Sequence, residues 1–243
     1  MPPKLNDKDL AFVNKVNGLS YAKQSKLWLN AFWKSHQKDA EEVYVFHQKW
    51  IETDLHLKGT RPPNPSREGT DLAEHGFHYF LEKNIKPLTV LEARAKLKEA
   101  DLSFDGKVSF LEFLMWHYKT NTRDFIKESP EDPDVGDANM SPALQKATAA
   151  LNAAKSEIQK IEDEKNRLED LIESGSGIKA IRAKNELAQV CSKDLTDLNR
   201  ALLTAEAAVR KLGGSGVDVP PGTLWWMNRE ITEMKKYKPR SKQ

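Results

Sequence analysis

The sequence predicts an all-α protein built from two helical parts. Apolar residues recur at helical spacing in short segments over about the first 125 residues, the second half carries two long seven-residue repeats, and no strand is expected in the first part beyond a very short one inside the run Asp101 to Glu112. Charged residues at 30% suit a soluble, helix-rich chain, and 243 residues are enough for one large domain or two small ones.

The first part reads as six helices: about Asp7 to Val16, Ser20 to Lys34, Asp39 to Leu57, Thr70 to Lys83, Thr89 to Ala100 and Ser109 to Lys119. Thr89 and Glu92 have the spacing of a capping box, with Leu91, Ala95, Leu97 and Ala100 following among good helix formers. Phe110, Phe113, Leu114 and Tyr118 form an apolar face on the sixth helix. Trp28, Phe32 and Trp33, and then Phe46 and Trp50, are spaced to share a face, which makes them core; the alternative is an apolar groove that opens to receive a target helix.

Between the fifth and sixth helices lies the most informative run, Asp101 to Glu112. Asp101, Ser103 and Asp105 offer side-chain oxygens at its first, third and fifth positions, and Lys107 needs only its backbone carbonyl at the seventh. Ser109 can hold a bridging water at the ninth, Glu112 closes the shell with two oxygens, and Gly106 permits the sharp turn at the sixth. This run resembles the calcium loop of an EF-hand, and its two flanking helices complete the motif, so we expect one bound Ca2+ per chain. Ser103 departs from the usual Asp or Asn, leaving three formal negative charges and an affinity in the sensor range rather than the buffer range.

EF-hands pack in pairs, and the segment from Asp39 to Lys83, with a proline-rich middle between Lys58 and Glu68, is the expected partner. Asp54, His56 and Lys58 before Gly59 look like a remnant of the ligand spacing, but Lys58 would repel a cation. The expected partner is therefore a degenerate EF-hand without metal, or an ordinary loop between two helices.

Residues 128–140 are rich in acid, proline and glycine and read as a linker. Domain boundaries follow: an EF-hand domain over 1–127, a helical-bundle domain over 141–238 and a basic tail over 239–243. In the second domain Ser141 and Pro142 open a helix whose seam is Leu144, Leu151, Ile158, Lys165 and Ile172, with Ala147, Ala154, Ile161 and Leu168. A break at Gly175 to Gly177 precedes a second helix with Ile181, Ala188, Leu195, Leu202 and Val209 in one register and Lys184, Cys191, Leu198, Ala205 and Leu212 in the other. So short a loop forces an antiparallel coiled-coil hairpin with arms of about 45 to 50 Å. Cys191 is then a small seam residue, and this one cysteine excludes a disulfide framework. Thr223 can cap a third helix carrying Leu224, Met227, Ile231 and Met234, which completes a three-helix bundle.

Chemistry is absent from the pattern. No phosphate loop, nucleophile elbow or zinc spacing occurs, His75 and His78 lack a third ligand, and an enzyme is not expected. No stretch is long enough to span a membrane and no apolar signal core opens the chain, so a cytoplasmic protein is expected. Lys235, Lys236, Lys238, Arg240 and Lys242 end the chain without an acid, and with Trp225 and Trp226 they are the candidate partner-binding residues. A net charge of +2 is too small a surplus for a nucleic-acid binder, which favours an acidic protein surface.

The order of loop, acidic linker, bundle and basic end, together with the run Leu29 to Trp33, resembles the calcium-regulated actin cross-linking proteins of amoeboid protists. The resemblance implies binding and bundling of filamentous actin, weakened by calcium, at the cytoskeleton, by a monomer or weak dimer. The rival is a calcium-sensing adaptor whose helical domain binds partner helices, which requires an open seam.

Overall fold

A computed structural model describes residues 5–59, 69–130, 141–214 and 219–239. The acidic linker over most of its length, the proline-rich segment and Arg240 and Lys242 lie outside the described residues. The chain divides into two compact units: Met1–Asn139 with Pro220–Trp226, and Met140–Val219 with Met227–Gln243.

In the first unit, α1 (Asp7–Asn17) is capped by Asn6, and α2 (Tyr21–His36) by Ser20. A 3₁₀ turn at Gln37–Asp39 leads into α3 (Ala40–Leu57). Strand β1 (Asp71–Ala73) runs into α4 (Glu74–Asn84); then come α5 (Val90–Ala100), β2 (Lys107–Ser109), α6 (Phe110–His117) and α7 (Thr122–Glu128). The predicted capping box of Thr89 with Glu92 forms on α5, and a second, of Ser109 with Glu112, opens α6.

β1 and β2 pair antiparallel, Asp71 opposite Ser109, Leu72 opposite Val108 and Ala73 opposite Lys107. Residues 71–73 are therefore strand where helical spacing predicts the start of a helix, because a ladder to a segment more than thirty positions away overrides local propensity. The predicted sixth helix ends at His117, before Lys119 with φ +53°, and a further short helix that the sequence reading did not include, α7, starts after the Asn121 cap.

Trp28, Trp50, Phe77, Phe80, Phe110, Phe113 and Phe125 are fully buried in one core. The Trp50 ring lies 4.6 Å from Phe80 and 5.1 Å from Phe113, so Trp28, Phe46 and Trp50 of the predicted aromatic set are inside, while Phe32 and Trp33 pack half-buried against the same core. Trp226 belongs to the same core, 5.0 Å from both Tyr44 and His47.

In the second unit α8 (Pro142–Ser174) follows its predicted seam, burying Ala147, Leu151, Ala154 and Leu168. The return arm is two helices, α9 (Ile178–Ser192) and α10 (Thr196–Gly214). The interruption resets the phase. α10 buries Leu198, Leu202, Ala205, Val209 and Leu212 as predicted, but α9 buries Ala183 and Leu187, and leaves Ile181, Lys184 and Ala188 exposed. One heptad register cannot pass through residues that leave the helix. Cys191 packs against the Leu168, Ala183 and Leu187 cluster, half-buried.

α11 (Pro221–Met234) contributes its first residues to the first unit and Met227, Ile231 and Met234 to the buried set of the second. It begins at Pro221 rather than after a Thr223 cap, since proline needs no N–H partner at that position. The Thr223 N–H is satisfied instead by Asn30 Oδ1 of α2 at 2.8 Å. Gly222 is pressed against that seat: a Cβ there would lie 2.7 Å from Asn30 Oδ1 and 2.8 Å from the Leu29 backbone. Within the second unit Glu230 pairs with Lys155 at 2.7 Å, Lys235 with Glu206 at 2.7 Å, and the Tyr237 hydroxyl donates to the buried Glu162 at 2.6 Å. No described helix is long and apolar enough to cross a membrane.

Candidate metal centre

The loop from Asp101 to Glu112 folds around its own carboxylates. Asp101 Oδ2 accepts the N–H of Gly106 at 2.9 Å, and Oδ1 accepts the N–H of Asp105 at 3.2 Å and the Ser103 hydroxyl at 3.3 Å. Glu112 Oε1 takes the N–H groups of Leu102 and Ser103, at 3.0 and 2.9 Å, and Oε2 takes that of Ser109 at 2.8 Å. Phe104 at φ +60° and Gly106 at φ +80° flank Asp105 with left-handed backbone, which turns the chain back far enough for the two ends of the loop to meet.

Burial raises the Glu112 carboxyl above the usual carboxylate range and the nearby Asp101 charge adds to it, while the N–H bonds from Ser109 and Ser103 pull it back. Two acidic groups held together away from water, among donors that are all oxygens, fit a hard divalent cation. The structure thus brings together Asp101, Ser103 and Glu112. Asp105 is exposed at the rim, where its carboxylate accepts the Lys107 N–H at 2.8 Å, and among the described residues no three acidic, His or Cys side chains already converge on one point. The Lys107 ammonium reaches across the strand pair to Asp71 at 3.2 Å.

In the partner segment Asp54 is buried against the Lys58 ammonium at 2.8 Å, and His56 stacks on Tyr79 at 5.2 Å. Of the histidine pair, His78 lies 3.2 Å from the Leu88 carbonyl and His75 is exposed.

Two residues with no motif around them tie the site to its neighbours. Gln24 of α2, fully buried, donates to the Thr70 and Leu19 carbonyls at 2.9 and 2.7 Å and accepts the N–H of Leu111 at 2.8 Å. Asn17, the last residue of α1, accepts the Ser109 hydroxyl at 2.8 Å. A buried amide in an otherwise apolar helix face is the only sequence signal either could have offered. On the exit side, the Trp116 indole donates to Glu99 at 3.2 Å, bridging α6 to α5, and the Tyr118 hydroxyl donates to Glu42 at 2.9 Å.

The candidate partner-binding residues separate into two kinds. Lys235, Lys236 and Lys238 are exposed, the first two paired with Glu206 and Glu233. Trp226 has no exposed surface and holds the first core together, so it cannot meet a partner; Trp225 is half-buried beside Tyr44.

The chain matches the family described as F actin bundling C terminal over residues 107–213, from the second half of the loop to the end of α10. It is 34% identical over 278 residues to the calcium-regulated actin-bundling protein of Dictyostelium discoideum, an alignment covering 98% of this chain and 92% of that protein. The crystal structure of the 34 kDa F-actin bundling protein from Dictyostelium discoideum matches with a TM-score of 0.80 at 32% identity, covering 98% of this chain and all of that one.

Proposed function

Because the chain belongs to the family of calcium-regulated actin-bundling proteins, we propose that it binds actin filaments at the cytoskeleton, cross-links them into bundles and releases them when calcium rises. The observation that carries this reading is the 34% identity along 98% of the chain to a protein named as calcium-regulated and actin-bundling. Its role is structural rather than enzymatic.

The first unit is read as an EF-hand pair. The antiparallel β1–β2 ladder between two helix-loop-helix segments supports it, as does the oxygen-only donor set of one loop beside the ion-paired Asp54 and Lys58 of the other. One ion per chain is held by side-chain oxygens of Asp101, Ser103, Asp105 and Glu112, the Lys107 carbonyl and a water at the ninth position. Calcium supplies, when bound, the divalent charge that keeps these oxygens in one shell. The second unit is read as a three-helix bundle, supported by the ion pairs of α11 with α8 and α10. On that reading the third helix covers the seam that an adaptor would need open.

Glu112 stands in the first turn of α6, so reorganising its carboxylate moves the start of that helix. Leu111 next to it is bonded to Gln24 of α2, and Asn30 on the same helix seats Thr223 at the start of α11. The loop, α6, α2 and the first turn of α11 thus form a contiguous set of polar contacts in the first unit, and α11 continues as residues of the second. We take this set as the two-state element that calcium biases, and the altered setting of α11 as what weakens filament cross-linking.

The test is a calorimetric calcium titration of the chelator-stripped protein. One site per chain is expected in the wild type, and its loss in Glu112→Gln, which removes a bidentate ligand; unchanged binding in that variant places the ion elsewhere and ends the reading.

A further inference from the structure

We propose that Asp71, in the partner segment and outside the twelve-residue run, belongs to the calcium site: its carboxylate takes the second proton of the water at the ninth position, and the Lys107 ammonium paired with that carboxylate lowers the affinity. This rests on the calcium reading of the loop.

The strand pair puts Asp71 there. Leu72 and Val108 stand opposite each other and are buried in the core, so the residues on either side of them belong to the other face of the ladder. On that face Asp71 stands directly opposite Ser109, a relation that brings β-carbons to about 4.5 to 5.5 Å. Asp71 also shares with Ser103, Asp105, Ser109 and Glu112 the wall of a cavity of about 270 Å³, which is the open side of the loop.

A cation-bound water turns its oxygen to the ion and both protons outward, so it needs two acceptors. Ser109 offers one. Its Oγ accepts the Glu112 N–H at 3.0 Å and gives its own proton to Asn17 Oδ1 at 2.8 Å, which leaves a single lone pair. Asp71 Oδ2 accepts the Thr70 hydroxyl at 2.7 Å and Oδ1 faces the Lys107 ammonium at 3.2 Å, and each carboxylate oxygen can accept a further hydrogen bond. Asp71 adds its negative charge to those of Asp101, Asp105 and Glu112, and Lys107 offsets it. Because β1 begins at Asp71 and runs into α4, the same contact ties the occupancy of the loop to the partner segment.

The experiment is calcium titration calorimetry on the full chain, at low salt and in about 1 M KCl, where the Debye length is about 3 Å. The proteins are wild type, Asp71→Ala, Asp71→Asn, Glu74→Ala, Lys107→Met, the Asp71→Ala and Lys107→Met double variant, and Glu112→Gln, with melting temperatures measured in chelator. Asp71→Ala weakens calcium binding by about 10-fold, as loss of an outer-shell partner does, and the loss persists in high salt. Asp71→Asn keeps a neutral acceptor and falls between Asp71→Ala and wild type. Glu74→Ala makes the same charge change outside the cavity and leaves affinity near wild type. Lys107→Met keeps the backbone carbonyl and tightens binding, less so when Asp71 is alanine. Wild-type affinity in Asp71→Ala overturns the proposal, as does a loss that salt erases or that Glu74→Ala matches, since either leaves only long-range charge. An equal effect of Lys107→Met in both backgrounds overturns the role of the ion pair. A lower melting temperature in chelator with unchanged calcium affinity makes Asp71 purely structural and also overturns it. Should Asp71→Ala prevent folding, wild-type affinity in Asp71→Asn overturns it instead. If Glu112→Gln abolishes binding while the Asp71 variants do not alter it, this inference alone fails; if Glu112→Gln still binds, the reading beneath it fails.

Discussion

The backbone N–H of Leu111 donates to the side-chain oxygen of Gln24 at 2.8 Å, and the amide nitrogen of the same Gln24 donates to the Thr70 carbonyl at 2.9 Å. One buried side chain on α2 therefore holds the chain where it enters β1 and where it leaves β2. Replacing it by leucine strands a buried N–H and several carbonyls, and Gln24→Leu is expected to cost about 2 to 3 kcal/mol in urea unfolding. A loss below about 0.5 kcal/mol would mean that these groups find other partners.

Trp226 fills the first core beside Tyr44 and His47 rather than facing a partner. Trp226→Ala is expected to destabilise the first unit by about 3 to 5 kcal/mol, the usual cost of truncating a buried tryptophan. Trp225→Ala, at a half-buried position, costs less. Equal costs would show that the two indoles share the burial.

His117 lies 5.0 Å from Phe46 and 5.4 Å from Phe113, and burial lowers its pKa against the opposing pull of Glu42 and Asp39. As pH falls the unfolded chain takes up this proton first. The stability contributed is complete above the ordinary value of 6.5 and is lost as pH drops from there through the lower folded value. Urea midpoints at about pH 7.5 and about pH 5 should fall further apart in wild type than in His117→Gln. An identical difference in the two proteins would assign the pH dependence to other groups.

At the basic end, Lys235 and Lys236 already pair with Glu206 and Glu233 in exposed ion pairs, worth little each. Lys238, Arg240 and Lys242 are the charges to change. Substituting these three by Glu should lower filament affinity at low salt and flatten its salt dependence without altering thermal stability. An unchanged salt slope would remove the tail from the filament contact.

The helices of the first unit were legible because their caps and apolar faces lie within a few residues, as at Thr89 with Glu92. The run of oxygen-bearing residues from Asp101 to Glu112, which we propose as the ligand set, stood out for the same reason. β1 was not, because three residues carry no periodicity and its partner strand is distant in sequence. The shifted face of α9 was hidden behind the interruption before Thr196, which heptad counting passes through. Trp226, Gln24 and Asn17 owe their roles to residues far along the chain, and nothing adjacent to them announces it.

The measurement that bears most directly on the account is sedimentation of actin filaments with the pure protein at low and high speed, in calcium and in chelator, for wild type and Glu112→Gln. The wild type should pellet bundles at low speed in chelator and release them in calcium, whereas Glu112→Gln should bundle in both. A wild type indifferent to calcium, or a Glu112→Gln variant that still disperses when calcium is added, would contradict the assignment of regulation to this loop.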